Sequence, residues 1–141
     1  MPMKALRNRL LFLLSLVLFN GCDISSDEVS YRFVSLVTVA VEMPETFRLN
    51  ETYEIAVTVL EPNGCTEFEG FDILPEETTV RRVVAIGTEQ DDMPCTEALK
   101  EVETSFEFVC LYEETYVFRF WTGKNEAGLD EFMEIEVPVV P

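Results

Sequence analysis

Two hydrophobic patterns divide the chain. Residues 10–19 are apolar except for Ser15, whereas from Tyr31 onward apolar and polar residues alternate. A period of two is the spacing of strands, whose side chains point by turns to opposite faces. It predicts a first strand with Tyr31, Phe33, Val37, Val39 and Val41 on one face, closed by Met43-Pro44, and a turn over residues 46–50. The second strand is the cleanest: Tyr53, Ile55, Val57 and Val59 face one way, Glu54, Ala56 and Thr58 the other. After a turn at Pro62-Asn63-Gly64, the third carries Phe68, Phe71 and Ile73, and its broken parity predicts a bulge near Gly70. Pro75-Glu76-Glu77 turns the chain into a fourth run, Val80, Val84 and Ile86. The Arg81-Arg82 pair interrupts that run, which marks a protected edge strand or a second bulge. Thr96 can cap one helical turn over residues 96–100, a segment too short for more. Phe106, Phe108 and Cys110 share the face of a fifth strand. Tyr116, Phe118 and Phe120 share that of a sixth, and Met133, Ile135, Val137 and Val139 that of a seventh.

Seven short strands with turn signals between them and no substantial helix define an all-β fold. The expectation is a seven-stranded antiparallel immunoglobulin-like β-sandwich over residues 31–141, with a small barrel as the alternative. The last hairpin can be placed in register, because cross-strand partners in an antiparallel pair have a constant sum of residue numbers. A sum of 253 sets Phe120 opposite Met133, Phe118 opposite Ile135 and Tyr116 opposite Val137. On the other face it sets Arg119 opposite Glu134 and Trp121 opposite Phe132. Apolar pairs, an opposite-charge pair and an aromatic pair all fall into place together, and a slip of one residue scatters them.

The first pattern has a different meaning. Lys4, Arg7 and Arg9 precede the apolar run, no acidic residue occurs before Asp23, and the run ends in Asn20-Gly21-Cys22. The run is too short to span a bilayer, which takes about 20 apolar residues. It has the form of a secretory signal. The cysteine at its end resembles that of a bacterial lipoprotein signal, in which cleavage precedes a cysteine carrying a diacylglyceryl thioether. Phe19 stands where that pattern usually has Leu, a looseness usual in Bacteroidetes; ordinary secretion is the alternative. The resemblance implies three segments: residues 1–21 as a removed lipoprotein signal peptide, residues 22–30 as the lipidated Cys22 and an acidic tether, and the β domain. Ser26-Asp27-Glu28 is similar to a surface-export signal of such lipoproteins, and equally fits a plain spacer.

Removing residues 1–21 leaves seven basic against 27 acidic residues, a net charge of −20 in 120 residues. Such a surface repels nucleic acid and anionic headgroups. The sequence has no histidine, which excludes Ser-His-Asp catalysis and histidine-ligated zinc. With Cys22 acylated, three thiols remain, and export favours one disulfide and one leftover. Cys65 and Cys95 adjoin turn residues, whereas Cys110 shares parity with Phe106 and Phe108 and points at the core. The expected bond is Cys65–Cys95, with Cys110 a buried free thiol, and Cys95–Cys110 remains its rival.

Other chemistry is sparse. Trp121 and Phe132, side by side on the outer face, can stack on a sugar or grip a peptide, or simply cover the hairpin end beneath Leu129. Glu54, Glu107, Glu134 and Glu136 fall on outward parity, which predicts solvated groups rather than a catalytic pair. Asp91-Asp92 and residues 126–131 offer oxygen ligands for calcium without EF-hand spacing. Asn50-Glu51-Thr52 fits a glycosylation sequon, which carries little weight in a bacterial lipoprotein. No catalytic residue, metal site or cofactor is expected.

Asn63-Gly64-Cys65, Phe68-Glu69-Gly70-Phe71-Asp72, Cys95-Thr96 and Tyr116-Val117-Phe118-Arg119-Phe120-Trp121 together resemble a group of small flavobacterial (Bacteroidetes) lipoproteins with an immunoglobulin-like fold. In that group the positions of Cys65 and Cys95 are the regular cysteines, which supports their pairing. Its members usually have Gly before the tyrosine of strand six, where this chain has Glu114-Thr115, and Cys110 is an addition. The resemblance implies fold and location, and no activity. The functional expectation is therefore a lipid-anchored, non-enzymatic binding or structural module at the outer membrane, on its cell-surface or periplasmic face. Its partner would be an envelope protein or a glycan. The alternatives are an inhibitor of a secreted protease, for which no inhibitory loop motif is present, and a carboxylate-based hydrolase.

Overall fold

Among the described residues, 29–141 of a computed structural model, the period-two pattern becomes nine strands and no helix. Cys22 and the export-like tripeptide lie outside the described residues. Seven strands are long: β1 (Tyr31–Glu42), β3 (Thr52–Glu61), β4 (Thr66–Pro75), β5 (Val80–Gln90), β6 (Lys100–Val109), β7 (Tyr116–Lys124) and β8 (Asp130–Val137). The other two, β2 (Phe47–Arg48) and β9 (Val139–Val140), are two-residue strands that pair with each other. The long strands form one continuous mixed sheet in the order β6-β3-β1-β5-β7-β8, with β4 on the outer edge of β5. Pairing is mostly antiparallel; β5–β7 and β2–β9 are parallel.

The sheet closes over a core because β1 serves two neighbourhoods. Its first half, Tyr31 to Leu36, pairs with β5, and its second half, from Val37, pairs with β3. The register with β3 slips at Val39, where Thr38 opposes Val59 and Ala40 opposes Thr58. A bulged residue bends its strand and exchanges the two faces. Leu36 and Thr38 therefore point inward before the bulge, and Val41 packs against the core after it. Gly87 on β5 makes room: a Cβ there would lie 2.7 Å from the Glu67 carbonyl oxygen and 3.0 Å from Leu36 Cδ1.

This corrects the expected face of the first strand. Tyr31 and Phe33 are 61% and 79% exposed, Val39 is also exposed, and Val34 and Leu36 take the inward positions. Both parities of residues 31–41 are apolar, so alternation alone did not discriminate. The fourth run is corrected likewise: Val83 and Ala85 are buried, not Val84 and Ile86. Nor is β5 an edge, since β4 lies on one side of it and β7 followed by β1 on the other. Arg81 is accommodated at the end of the core. Its Nη1 donates to the carbonyls of Glu77, Thr78 and Val80, and its guanidinium lies 5.5 Å from the Tyr116 ring centroid. No helical turn forms at Thr96, whose carbonyl instead accepts from the Gly64 N–H.

Other expectations hold. The bulge in β4 falls between Phe68 and Gly70, and the β7–β8 register has the sum of 253 from Tyr116↔Val137 to Trp121↔Phe132. Ile55, Val57 and Val59 are buried, as are Tyr116, Phe118 and Phe120.

Aromatic rings join the layers. Phe108 of β6 meets Phe118 of β7 at 5.0 Å between centroids and Tyr116 at 4.9 Å, and Phe71 of β4 meets Phe106 of β6 at 5.1 Å. Phe47, in the segment expected only to turn, is fully buried 4.6 Å from Tyr53 and 5.2 Å from Phe108. The parallel β2–β9 pair holds it there, helped by the Phe47 N–H donating to the Pro138 carbonyl. Aromatic contacts of this kind add about 0.5–1.5 kcal/mol each beyond burial. Phe118, packed on Phe47, Phe108, Tyr116 and Phe120, has four such neighbours. Phe118→Ala is expected to cost about 3–5 kcal/mol in urea denaturation, the range for truncating a buried ring. A loss under 1 kcal/mol would contradict this packing.

Candidate functional site

Cys65 and Cys95 form the disulfide, with Cα atoms 5.4 Å apart. The Asn63-Gly64 turn prepares the first sulfur. Asn63 Oδ1 accepts from the Cys65 N–H at 2.9 Å and from Thr66 Oγ1 at 3.0 Å, a local turn that Asn makes readily. Gly64 cannot be replaced freely, because a Cβ would collide with Thr96 Oγ1. Asn63 Nδ2 donates onward to Glu89 Oε1 at 2.8 Å, and Arg32 Nη2 donates to Glu89 Oε2 at 2.6 Å. Arg32 also lies 3.2 Å from Asp91, whose N–H donates to the Ser30 carbonyl. One polar chain thus links the disulfide loop to the point where the described chain begins. The Asn-Gly signal marked the turn in the sequence; nothing local marked its partners Glu89 and Arg32.

Hydrogen bonds from Arg32 and then Asn63 hold the Glu89 carboxyl below its ordinary range, and Glu89 in turn raises the Arg32 guanidinium. Cys110 is free and buried against the core, its Sγ 3.4 Å from the Tyr112 carbonyl oxygen, and burial pushes its thiol up.

Trp121 and Phe132 stand opposite each other on the outer face of β7–β8. Leu129, beside the same hairpin end, is 65% exposed. Trp121 Nε1 donates to Asp130 Oδ1 at 3.0 Å, and the Arg119 guanidinium sits 4.6 Å over the Phe132 ring. Arg119 is itself held between Glu76 at 2.7 Å and Glu134 at 3.0 Å, and the hydrogen bond it donates to Glu76 contributes most to raising its pKa. Glu76 also approaches Arg82 at 3.6 Å. The register placed Arg119 against Glu134; the contribution of Glu76, from the turn after β4, was not legible. The result is a half-buried ladder of Glu76, Arg119, Glu134 and Phe132 beside Trp121.

The other outward faces are acidic. Glu54 stands opposite Glu107 on β3–β6 and accepts from Ser105 Oγ at 2.6 Å. Glu54, Glu107, Glu134 and Glu136 are all exposed, as their parity predicted. Glu61 is the buried carboxylate, bridged to Lys100 Nζ at 3.2 Å and accepting from the Phe68 N–H. A hollow of about 610 Å³ opens beside β2 and β9 between Arg48, Leu49, Glu51, Glu113 and Val140. Its two carboxylates are exposed, and Glu51 already accepts from the Tyr53 hydroxyl. Among the described residues no group of three acidic or cysteine side chains is placed to hold a metal ion, the Asp91-Asp92 and 126–131 segments included.

Comparison with known proteins finds no matching family model, no matching curated protein and no matching solved structure.

Two outcomes test this geometry. Cys65→Ser with Cys95→Ser opens a loop of 30 residues, which in the chain-entropy picture costs about 3–4 kcal/mol. The oxidised domain should yield its one thiol to alkylation only after unfolding. The second concerns acid. Because Glu89 binds its proton more weakly folded than unfolded, its contribution is present above the unfolded carboxylate range, near pH about 4.3, and fades as pH falls through the lower folded value. The stability gap between wild type and Glu89→Gln should therefore be widest near neutrality and narrow toward pH about 3. A gap that widens on acidification would refute the Arg32–Glu89–Asn63 link.

Proposed function

We propose that this chain is a lipid-anchored envelope protein whose β domain serves as a non-enzymatic binding or structural module. The observation that carries the reading is the N-terminal sequence: three cations, an apolar run and Gly21-Cys22, with the acidic residues beginning at Asp23. Two acyl chains or more on one cysteine make a durable anchor, since each buried methylene contributes about 0.8 kcal/mol. The domain's cysteine usage agrees with an oxidising compartment, as its loop cysteines are bonded and its free thiol is buried.

An immunoglobulin-like sandwich remains our reading of the architecture. Its support is the start of β7, where the Tyr116 hydroxyl accepts the N–H groups of Leu111 and Tyr112 at 3.1 and 3.2 Å. A tyrosine bonded back to the preceding corner is a feature of such sandwiches. The β3–β6 and β7–β8 pairings also suit that scheme, whereas β5 lying parallel to β7, with β4 outside it, departs from it. The outer membrane is the location proposed, with an envelope protein or glycan as partner.

Labelling cells with a clickable palmitate analogue, followed by protease shaving, tests the anchor and its face. Wild type should carry label and Cys22→Ala should not. Loss of the domain on shaving intact cells would place it outside. An unlabelled wild type would overturn the anchor and return Cys22 to the pool of thiols.

A further inference from the structure

The outward face of β1 ahead of the bulge carries an apolar stripe. Tyr31 and Phe33 share one side of β1, 61% and 79% exposed, and Val29, just before the strand, is 42% exposed. Alternate residues of a strand put Tyr31 and Phe33 about 7 Å apart. Tyr31 also borders a shallow hollow of about 90 Å³ with Cys65 and Met93, and Met93 is itself half exposed. Phe33 is not a frayed end: its backbone is paired with Thr88 in the middle of the β1–β5 ladder.

Position in the chain supplies the occupant. Six residues separate Cys22 from Val29, and the seven residue steps span at most about 25 Å of extended backbone. The Ser30 carbonyl is tied to Asp91, so the stripe starts where the folded domain begins. A domain anchored at Cys22 keeps the start of this stripe within about 25 Å of the lipid. We propose that Val29, Tyr31 and Phe33 lie on the bilayer interface, giving the protein a second, reversible contact that orients the domain. The inference rests on the lipid anchor proposed above. Aromatic side chains favour that layer because an apolar body and, in tyrosine, a polar tip match its gradient.

Charge restricts the surface. Glu67 lines the same hollow as Tyr31, and Glu69 accepts from Thr88, the cross-strand partner of Phe33. Carboxylates thus border the stripe on its β4 side, and the compatible surface is zwitterionic. Anionic headgroups repel it over roughly the Debye length, about 8 Å at physiological ionic strength.

The test uses the mature lipidated protein with Trp121→Phe and a single reporter indole, introduced either by Phe33→Trp or by Leu111→Trp beyond the far end of β6. Each protein is bound to phosphatidylcholine vesicles brominated high on the acyl chains. The expected result is co-flotation of both, with emission quenched and blue-shifted for the reporter at 33 and unchanged for that at 111. Replacing part of the lipid by phosphatidylglycerol should reduce the quenching, and added salt should restore it. Flotation without quenching at 33, or equal quenching at both positions, overturns the interfacial contact and leaves the anchor standing. Failure to float overturns the anchor, and this inference with it.

Discussion

The structure depends on one strand having to satisfy two neighbours. β1 pairs with β5 through residues 31–36 and with β3 from residue 37 on, and within the second pairing its inward parity changes from that of Leu36 and Thr38 to that of Val41. The extra residue at Val39 makes the change. Without it, either Leu36 and Thr38 or Val41 would be turned to solvent. The aromatic cluster then fills the space the bend encloses, with Phe47 inserted from the short β2–β9 pair.

Legibility followed from how unequal the two faces of each strand are. In β3, Glu54 and Thr58 oppose Ile55, Val57 and Val59, so alternation settled the orientation. In β7–β8 the register was overdetermined by two apolar rows, one ion pair and Trp121–Phe132. In β1 and β5 both parities are apolar, and the choice was made by tertiary pairing that a single strand does not encode. Phe47 was hidden for another reason. It sits in a segment rich in turn formers, and its burial depends on Val139, more than ninety residues away in the chain. The disulfide and Cys110 were legible because turn position and strand parity separated the three cysteines. The surroundings of the candidate surfaces were less so: Arg119 was expected against Glu134, but Glu76 and the ring of Phe132 complete its setting.

Charge shapes the surface more than it stabilises the fold. Five of the seven basic residues after Cys22, Arg32, Arg82, Lys100, Arg119 and Lys124, are in ion pairs. Apart from that of Lys100, whose partner Glu61 is buried, such pairs contribute about 0–1 kcal/mol each. Their effect is positional, as Arg119 clamps the turn after β4 to the β7–β8 hairpin, and Arg32 ties the start of β1 to the disulfide loop. The remaining carboxylates leave a strongly anionic exterior, interrupted by the apolar stripe of β1 and by other exposed apolar residues such as Val109, Leu111 and Tyr112.

The parity of β1 is the claim on which both the core and that stripe rest, and two substitutions measured side by side by urea denaturation test it. Phe33→Ser should change stability by no more than about 0.5 kcal/mol, as at an exposed position. Leu36→Ala should cost about 2–5 kcal/mol, as in a packed core. A Phe33→Ser loss as large as that of Leu36→Ala would mean that β1 presents its other face to the core.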